Sequence, residues 1–176
     1  MQNLDNNRNF IPINIAVLTV SDSRTKENDK SGNYLVESII GTGHVCEFRK
    51  IVKDNVKDIL EILNKWLDNK LIDVIITTGG TGITGRDVTP EALNRIKEKD
   101  IPGFGEVFRY ISYKKIGTST IQSRASACIA KNTFIFSLPG SPSACKDAWE
   151  SIIKTQLDNR HRPCNLVELI PRLSEK

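Results

Sequence analysis

The sequence predicts an α/β domain built on a mostly parallel sheet with helices on both faces, and three observations lead there. Residues 13–20 (INIAVLTV), 73–78 (DVIITT) and 133–138 (TFIFSL) are near-continuous apolar runs, as strands buried on both faces of a parallel sheet require. Each run ends in serine, aspartate, glycine or proline. Helical periodicity fills the intervals, and strands alternating with helices join through right-handed crossovers into such a sheet.

The elements follow in order. Residues 1–11 begin MQNLDNNRNF, which is polar and lacks the apolar stretch of a signal peptide, so they read as a flexible tail ahead of one domain over 12–176. The first strand runs into Ser21, Asp22 and Ser23, and a weaker strand covers 45–52. Val56, Ile59, Leu60, Leu63, Trp66 and Leu67 recur at helical spacing, with Asp54 just ahead as a candidate cap. The run 73–78 leads straight into Gly79, Gly80, Thr81 and Gly82. Thr89, Pro90 and Glu91 then combine a capping residue, a proline suited to a first turn and an acid suited to the positive helix end. Helical stretches are expected around 104–114 and 119–130. The last apolar run ends in Pro139, Gly140 and Ser141; Ser141 followed by Pro142 starts a helix whose apolar face is Ala144, Cys145, Ala148, Trp149, Ile152 and Ile153. Residues 160–176 are basic and broken by proline, with no internal repeat and no second domain.

Composition narrows the function. The net charge of +4 is modest and the basic residues are interleaved with acids, unlike a surface that neutralises a nucleic-acid backbone. No stretch of about 18 apolar residues is present to span a membrane. Cys46, Cys128, Cys145 and Cys164 contain no CxxC pair, so zinc and redox motifs are disfavoured, and reduced thiols in the cytoplasm are the simpler expectation.

In open α/β sheets ligands bind beyond the carboxyl ends of the strands. That rule gathers Ser21, Asp22, Asp54, the segment Gly79 to Asp87, and Pro139 to Ser141 onto one edge. Gly80, Gly82 and Gly85 satisfy G-x-G-x-x-G, yet the helix start at Thr89–Pro90 comes several residues too late for a dinucleotide fold, and IPGFGEVFR lacks the strand that should carry the ribose-binding acid. A Walker A loop needs Lys followed by Ser or Thr, and Arg86–Asp87 stands there instead. The loop is then either a phosphate cradle or a tight structural turn.

The segment GGTGITGRDVTPEAL (79–93) resembles the signature of the MoaB/MogA family. The resemblance extends to LTVSDSR (18–24), PGFGEVFR (102–109), GTSTIQSRA (117–125) and SLPGSP (137–142). It spans about residues 12–166, and the PGFGEVFR, GTST and QSRA segments look more like MoaB than MogA. It implies a three-layer α/β fold, a trimeric or hexameric homo-oligomer, and MgATP-dependent transfer of AMP to the phosphate of molybdopterin, the product passing to a molybdenum insertion enzyme. The family's functional aspartates correspond to Asp54 and Asp87. This chain keeps Asp at both, which favours a working enzyme over a catalytically silent paralogue.

Joining two polyanions requires phosphate donors and a hard divalent cation, and Mg²⁺ is usually held by one or two carboxylates plus substrate phosphates. Asp87 and Asp54 are the candidate ligands; the competing readings are a turn aspartate and a helix cap. The amides of Gly79, Gly80, Thr81 and Gly82 and the helix start at Ser141 are candidate phosphate contacts, and Ser21, Asp22, Pro139 and Gly140 complete the candidate substrate-binding set. Ser123 and Arg124 could reach a phosphate or pterin carbonyl, or Arg124 could form a salt bridge. Glu106 and Arg109 read as a helix-face ion pair, Phe104, Phe108 and Tyr110 as core or subunit contacts, and neither His44 nor His161 carries a role. The competing functions are adenylyltransferase, a noncatalytic molybdopterin-binding scaffold and, more remotely, a dinucleotide-dependent oxidoreductase.

Overall fold

The computed structural model describes residues 4–175. Six strands, β1 (Asn14–Val20), β2 (Val45–Val52), β3 (Val74–Thr78), β4 (Lys99–Asp100), β5 (Ser126–Ala130) and β6 (Thr133–Leu138), form one sheet in the order β2-β1-β3-β6-β5-β4. The four strands β2, β1, β3 and β6 are mutually parallel, while β5 and β4 run antiparallel. Because Val20 lies opposite Val52, Thr19 opposite Thr78, and Thr78 opposite Leu138, all four parallel strands end on the same edge. The predicted mostly parallel α/β architecture is therefore present.

Helices cover both faces. Ile15, Val17, Val74, Ile76, Phe134 and Phe136 pack with Leu35 and Ile39 of α1 (Lys30–Gly41), with Phe104 and Phe108 of α4 (Pro102–Ile116), and with Trp149 and Ile153. These last two belong to a continuous helical run of α5 (Pro142–Ala148), a π turn (Trp149–Ile153) and α6 (Lys154–Gln156). On the opposite face Ala16, Leu18, Ile75 and Ile135 meet Ile59, Leu63 and Trp66 of α2 (Val56–Leu67), together with Ala92 and Leu93 of α3 (Thr89–Leu93). Successive side chains of a strand point to opposite faces, so one apolar run supplies both layers. Each fully buried Leu or Ile contributes roughly 1.5–3 kcal/mol to holding the layers together.

Several local expectations are corrected. The stretch 119–130 is not a helix but a 3₁₀ turn (Gly117–Gln122) followed by β5. Its alanines favour a helix locally, but the vacant edge of β6 and the burial of Ala127, Cys128 and Ala130 override that preference. Helix α1 carries no signal that the periodicity detects, since Gly32 and Asn33 interrupt it and only Leu35 and Ile39 are fully buried apolar positions. Asp54 does not cap α2. Asn55 does, its side chain accepting from the Asp58 amide at 2.8 Å. Likewise Val88 is the N-cap of α3, and Thr89 is its first residue.

The segment 4–11, read as part of a flexible tail, is tied to the C-terminal region. The Asp5 amide donates to the Arg160 carbonyl at 2.9 Å, and the Ile11 amide to Asn159 Oδ1 at 2.9 Å. The remainder of that tail, residues 1–3, lies outside the described residues. Arg109 forms no ion pair with Glu106; its Nη1 donates to the Ala125 carbonyl at 3.0 Å, which anchors α4 to the entry of β5. Phe104 and Phe108 are core, as anticipated, whereas Tyr110 is exposed. The four cysteines are free thiols.

Candidate functional site

The carboxyl ends of the parallel strands open into a cleft of about 500 Å³. Ser21, Asp54, Gly79, Gly80, Thr81, Gly82, Asp87, Ser123, Pro139, Gly140 and Ser141 all line it. Four loops that are distant in sequence meet there because their strands end in register.

The glycine loop is held from behind. The Thr89 hydroxyl donates to the Gly79 carbonyl at 2.8 Å, and the Thr89 amide donates to the Gly80 carbonyl at 3.0 Å. Thr89 is fully buried. In a trans peptide the N–H points opposite to the C=O of the preceding residue. With the Gly79 and Gly80 carbonyls turned toward buried Thr89, the Gly80 and Thr81 amides turn away from it. Among the described residues neither amide has a protein acceptor. Two adjacent unpaired donors in a loop that lines a cleft are an anion-binding arrangement.

Glycine is required at the start of this loop. Gly79 adopts φ +103° against the Val20 backbone carbonyl, where a Cβ would collide, and Gly80 adopts φ +65°. We expect Gly79→Ala to destabilise the protein by about 2–3 kcal/mol through backbone strain. The thermal midpoint should fall by roughly 4–12 °C, measured by calorimetry; an unchanged midpoint would show that the loop relaxes freely.

The two aspartates differ sharply. Asp54 is partly buried, and among the described residues no side-chain donor reaches its carboxylate, which has only the Asp22 backbone amide beside it. Burial raises its pKa, the neighbouring carboxylate of Asp22 raises it further, and Asp87 adds to this, against the lowering influence of the Asp22 backbone amide and of Arg86. Asp87 is tied into its own turn: Oδ2 accepts from the Thr84 amide at 2.9 Å and from the Thr84 hydroxyl at 2.6 Å. Burial pulls its pKa upward, but the Thr84 and Gly82 hydrogen bonds together outweigh burial and hold it below the ordinary value. The turn reading of Asp87 is thus correct as far as it goes, and the residue still lines the cleft.

Two anticipated site residues do not face the cleft. Asp22 pairs with Arg86 and accepts the Asp54 amide at 3.2 Å; the Arg86 hydrogen bond, then the Asp54 amide, hold its carboxyl below the usual range. Arg124 spends its donors on the Gly82 and Asp87 carbonyls and on Glu91, so it is not free to fork onto a phosphate. Ser141 lines the cleft while also capping α5, its Oγ accepting the Ala144 amide at 3.2 Å.

Sequence reasoning missed part of the cleft. Asp29, only 1% exposed, caps α1, accepts the Thr19 hydroxyl at 2.7 Å, and pairs with Arg49 at 3.1 Å. An Asp three residues before Gly32 is a legible helix start, obscured by the weak apolar stripe behind it. The wall opposite the glycine loop comes from α4 and the 3₁₀ turn, chiefly Phe108, Ser112, Ile116, Thr120 and Gln122. Among the described residues Arg24 is the one Lys or Arg lining the cleft.

Comparison with known proteins agrees with this geometry. Residues 16–159 match the family model described as a probable molybdopterin binding domain. The chain is 49% identical over 156 residues to molybdenum cofactor biosynthesis protein B of Escherichia coli, covering 89% of this chain and 92% of that protein. The chain belongs to the MoaB/MogA family. Its counterpart in Staphylococcus epidermidis is 46% identical over 163 residues, covering 90% of both chains. A crystal structure of a molybdenum cofactor biosynthesis protein B superposes with TM-score 0.84 at 36% identity, covering 94% of this chain and 98% of that one. The tungsten cofactor synthesizing protein MoaB from Pyrococcus furiosus gives 0.77 at 34%, with the same coverage.

Within this MoaB/MogA cleft the donor set suits a magnesium ion. Among the described residues no group of three or more His, Cys, Asp or Glu side chains is arranged to hold a metal, so a dedicated protein cage is not built. Asp54, a carboxylate without a side-chain donor among the described residues and opposed in charge by its neighbours, together with Asp87, fits a cation that completes its shell with other oxygen ligands.

Proposed function

We propose that this chain is a molybdopterin adenylyltransferase acting in molybdenum cofactor biosynthesis in the cytoplasm. The observation that carries the reading is the pair of unpaired amides at Gly80 and Thr81 facing away from Thr89, beside the Asp54 and Asp87 carboxylates. Donors for phosphate and ligands for a cation thereby share one cleft.

A phosphate oxygen of molybdopterin attacks the α-phosphorus of ATP, and the bond to the β-phosphate oxygen breaks. The products are adenylyl-molybdopterin and diphosphate. The attacking phosphate is already anionic, so no side chain need remove a proton, and catalysis reduces to positioning and charge stabilisation. The glycine-loop amides hold phosphate oxygens, and Arg24 at the cleft adds positive charge. Asp54 and Asp87 would hold Mg²⁺, which neutralises charge on the departing diphosphate.

Pure protein incubated with molybdopterin and MgATP should release diphosphate and form adenylyl-molybdopterin, both followed by chromatography. Failure to form product, with molybdopterin still bound, would favour the noncatalytic carrier. That second reading draws support from the Thr84 bonds that occupy Asp87. We further propose a homo-oligomer, trimer or hexamer, supported by exposed Val107, Tyr110, Tyr113 and Ile116 on α4, and hand-on of product to a molybdenum insertion enzyme. Neither nucleic acid nor a membrane enters this reading; no helix among the described residues is long and apolar enough to cross one.

A further inference from the structure

Arg124 sits where the chain enters β5, and antiparallel pairing brings that entry to the edge on which the parallel strands end. Its backbone amide donates to the Thr81 carbonyl at 2.9 Å. Nε donates to the Gly82 carbonyl at 2.6 Å, and Nη2 to the Asp87 carbonyl at 2.7 Å. The guanidinium also pairs with Glu91 of α3. Between Gly82 and Asp87 the residues Ile83, Thr84, Gly85 and Arg86 are exposed. One side chain therefore joins the two ends of an exposed loop.

This tie has a specific consequence for Asp87. Its carboxylate is bonded to Thr84 and to the Gly82 amide, both on the same loop, so those bonds do not by themselves fix it relative to Asp54. The bond from Arg124 does, because Arg124 is continuous with a strand of the sheet. Glu91 balances the guanidinium, so the tie holds the loop while leaving the Asp87 charge for a cation. A planar fork with five donors reaches two carbonyls and a carboxylate together; the single ammonium of lysine does not.

We propose that Arg124 is a positioning residue: its fork on the Gly82 and Asp87 carbonyls sets the Asp87 carboxylate against Asp54 and so sets divalent-cation affinity, without touching substrate. The proposal rests on the adenylyl-transfer reading of the cleft. Mn²⁺ serves as a paramagnetic substitute for Mg²⁺, and its binding in the presence of ATP is followed by electron paramagnetic resonance on the full chain. Arg124→Lys should weaken Mn²⁺ binding about 10-fold, the usual scale for an outer partner of a metal ligand. In an Asp87→Asn background the same change should add less than about twofold, since nothing remains to be positioned. Turnover should follow, with the apparent KM for Mg²⁺ raised in Arg124→Lys and kcat recovered at saturating Mg²⁺. Glu91→Gln leaves both loop-carbonyl bonds in place and should stay within about threefold of wild type, a change small on the scale of lost ligand support.

Equal losses from Arg124→Lys in both backgrounds would mark a general structural tie and overturn the proposal. So would Glu91→Gln reproducing the Arg124→Lys loss, or unaltered Mn²⁺ affinity in Arg124→Lys. Arg124→Gln is carried alongside; if neither Arg124 variant folds, the residue is structural and the proposal falls. Wild-type protein that binds no Mn²⁺ with ATP would instead remove the cleft reading, and the proposal with it.

Discussion

Asp87→Asn is expected to lower molybdopterin adenylylation by about 10²- to 10³-fold, the scale of losing one electrostatic element from a nucleotidyl-transfer site. The amide keeps the volume of the carboxylate, and its oxygen can still accept from the Thr84 amide and hydroxyl. On the proposed mechanism, what disappears is the charge that would hold the cation while diphosphate departs. Stability should drop by only roughly 0.5–1 kcal/mol, because charge-assisted hydrogen bonds are exchanged for neutral ones on a solvent-facing loop. The pH dependence has a definite sign. Asp87 titrates below its ordinary value in the folded protein, so its contribution is present above the unfolded pKa and is lost as pH falls through the folded pKa. The thermal midpoint of Asp87→Asn should therefore lie below wild type at neutral pH and converge with it in acid. Turnover within about threefold of wild type would be far short of the loss expected for a metal ligand, and would move the assignment toward a noncatalytic carrier.

Asp54→Asn should cause a loss of turnover of similar size, about 10²- to 10³-fold, with the opposite effect on stability. Asp54 receives no side-chain hydrogen bond among the described residues, is partly buried, and faces the carboxylates of Asp22 and Asp87, whose effect outweighs the Asp22 backbone amide. Its folded-state pKa is raised, so between the unfolded and folded values the native state binds more protons than the unfolded chain. Stability consequently falls as pH rises through that window, and the full penalty is present at neutral pH. Asparagine carries no such penalty. Its midpoint should lie above wild type at neutral pH in metal-free buffer, with the gap closing as wild-type Asp54 is protonated. Added Mg²⁺ with ATP should raise the wild-type midpoint more than that of the variant, since a ligand stabilises the form that binds it. Scanning calorimetry on both variants across pH separates the two carboxylates, which activity alone would not. A lower midpoint for Asp54→Asn at neutral pH would mean that the carboxylate is structurally engaged and not held ready for a cation.

Much of this site was legible before any coordinates. The apolar runs at 13–20, 73–78 and 133–138 became β1, β3 and β6, and the rule that ligands gather at strand carboxyl ends brought Ser21, Asp54, the glycine loop and Ser141 to one cleft. Arg124 shows where that reasoning stopped. Its residue type suits a phosphate, and only the antiparallel placement of β5 reveals that its donors are consumed by Gly82, Asp87 and Glu91. The segment 119–130 departs from the expected helix for the same reason, because its alanines favour a helix until an open strand edge offers a better partner.

By itself the sequence determined what local physics can specify: the buried strands, the amphipathic α2, the helix starts marked by Thr89–Pro90 and Ser141–Pro142, and the signature that identifies the family. Tertiary structure decided which polar groups remain unpaired. Whether a carboxylate or amide is free for a ligand depends on which distant donors and acceptors fold against it, and no local pattern encodes that. Thr89 turning two glycine carbonyls inward, Thr84 occupying Asp87, and Asp54 left, among the described residues, without a side-chain donor are settled only when β1, β3, β6 and β5 come into register.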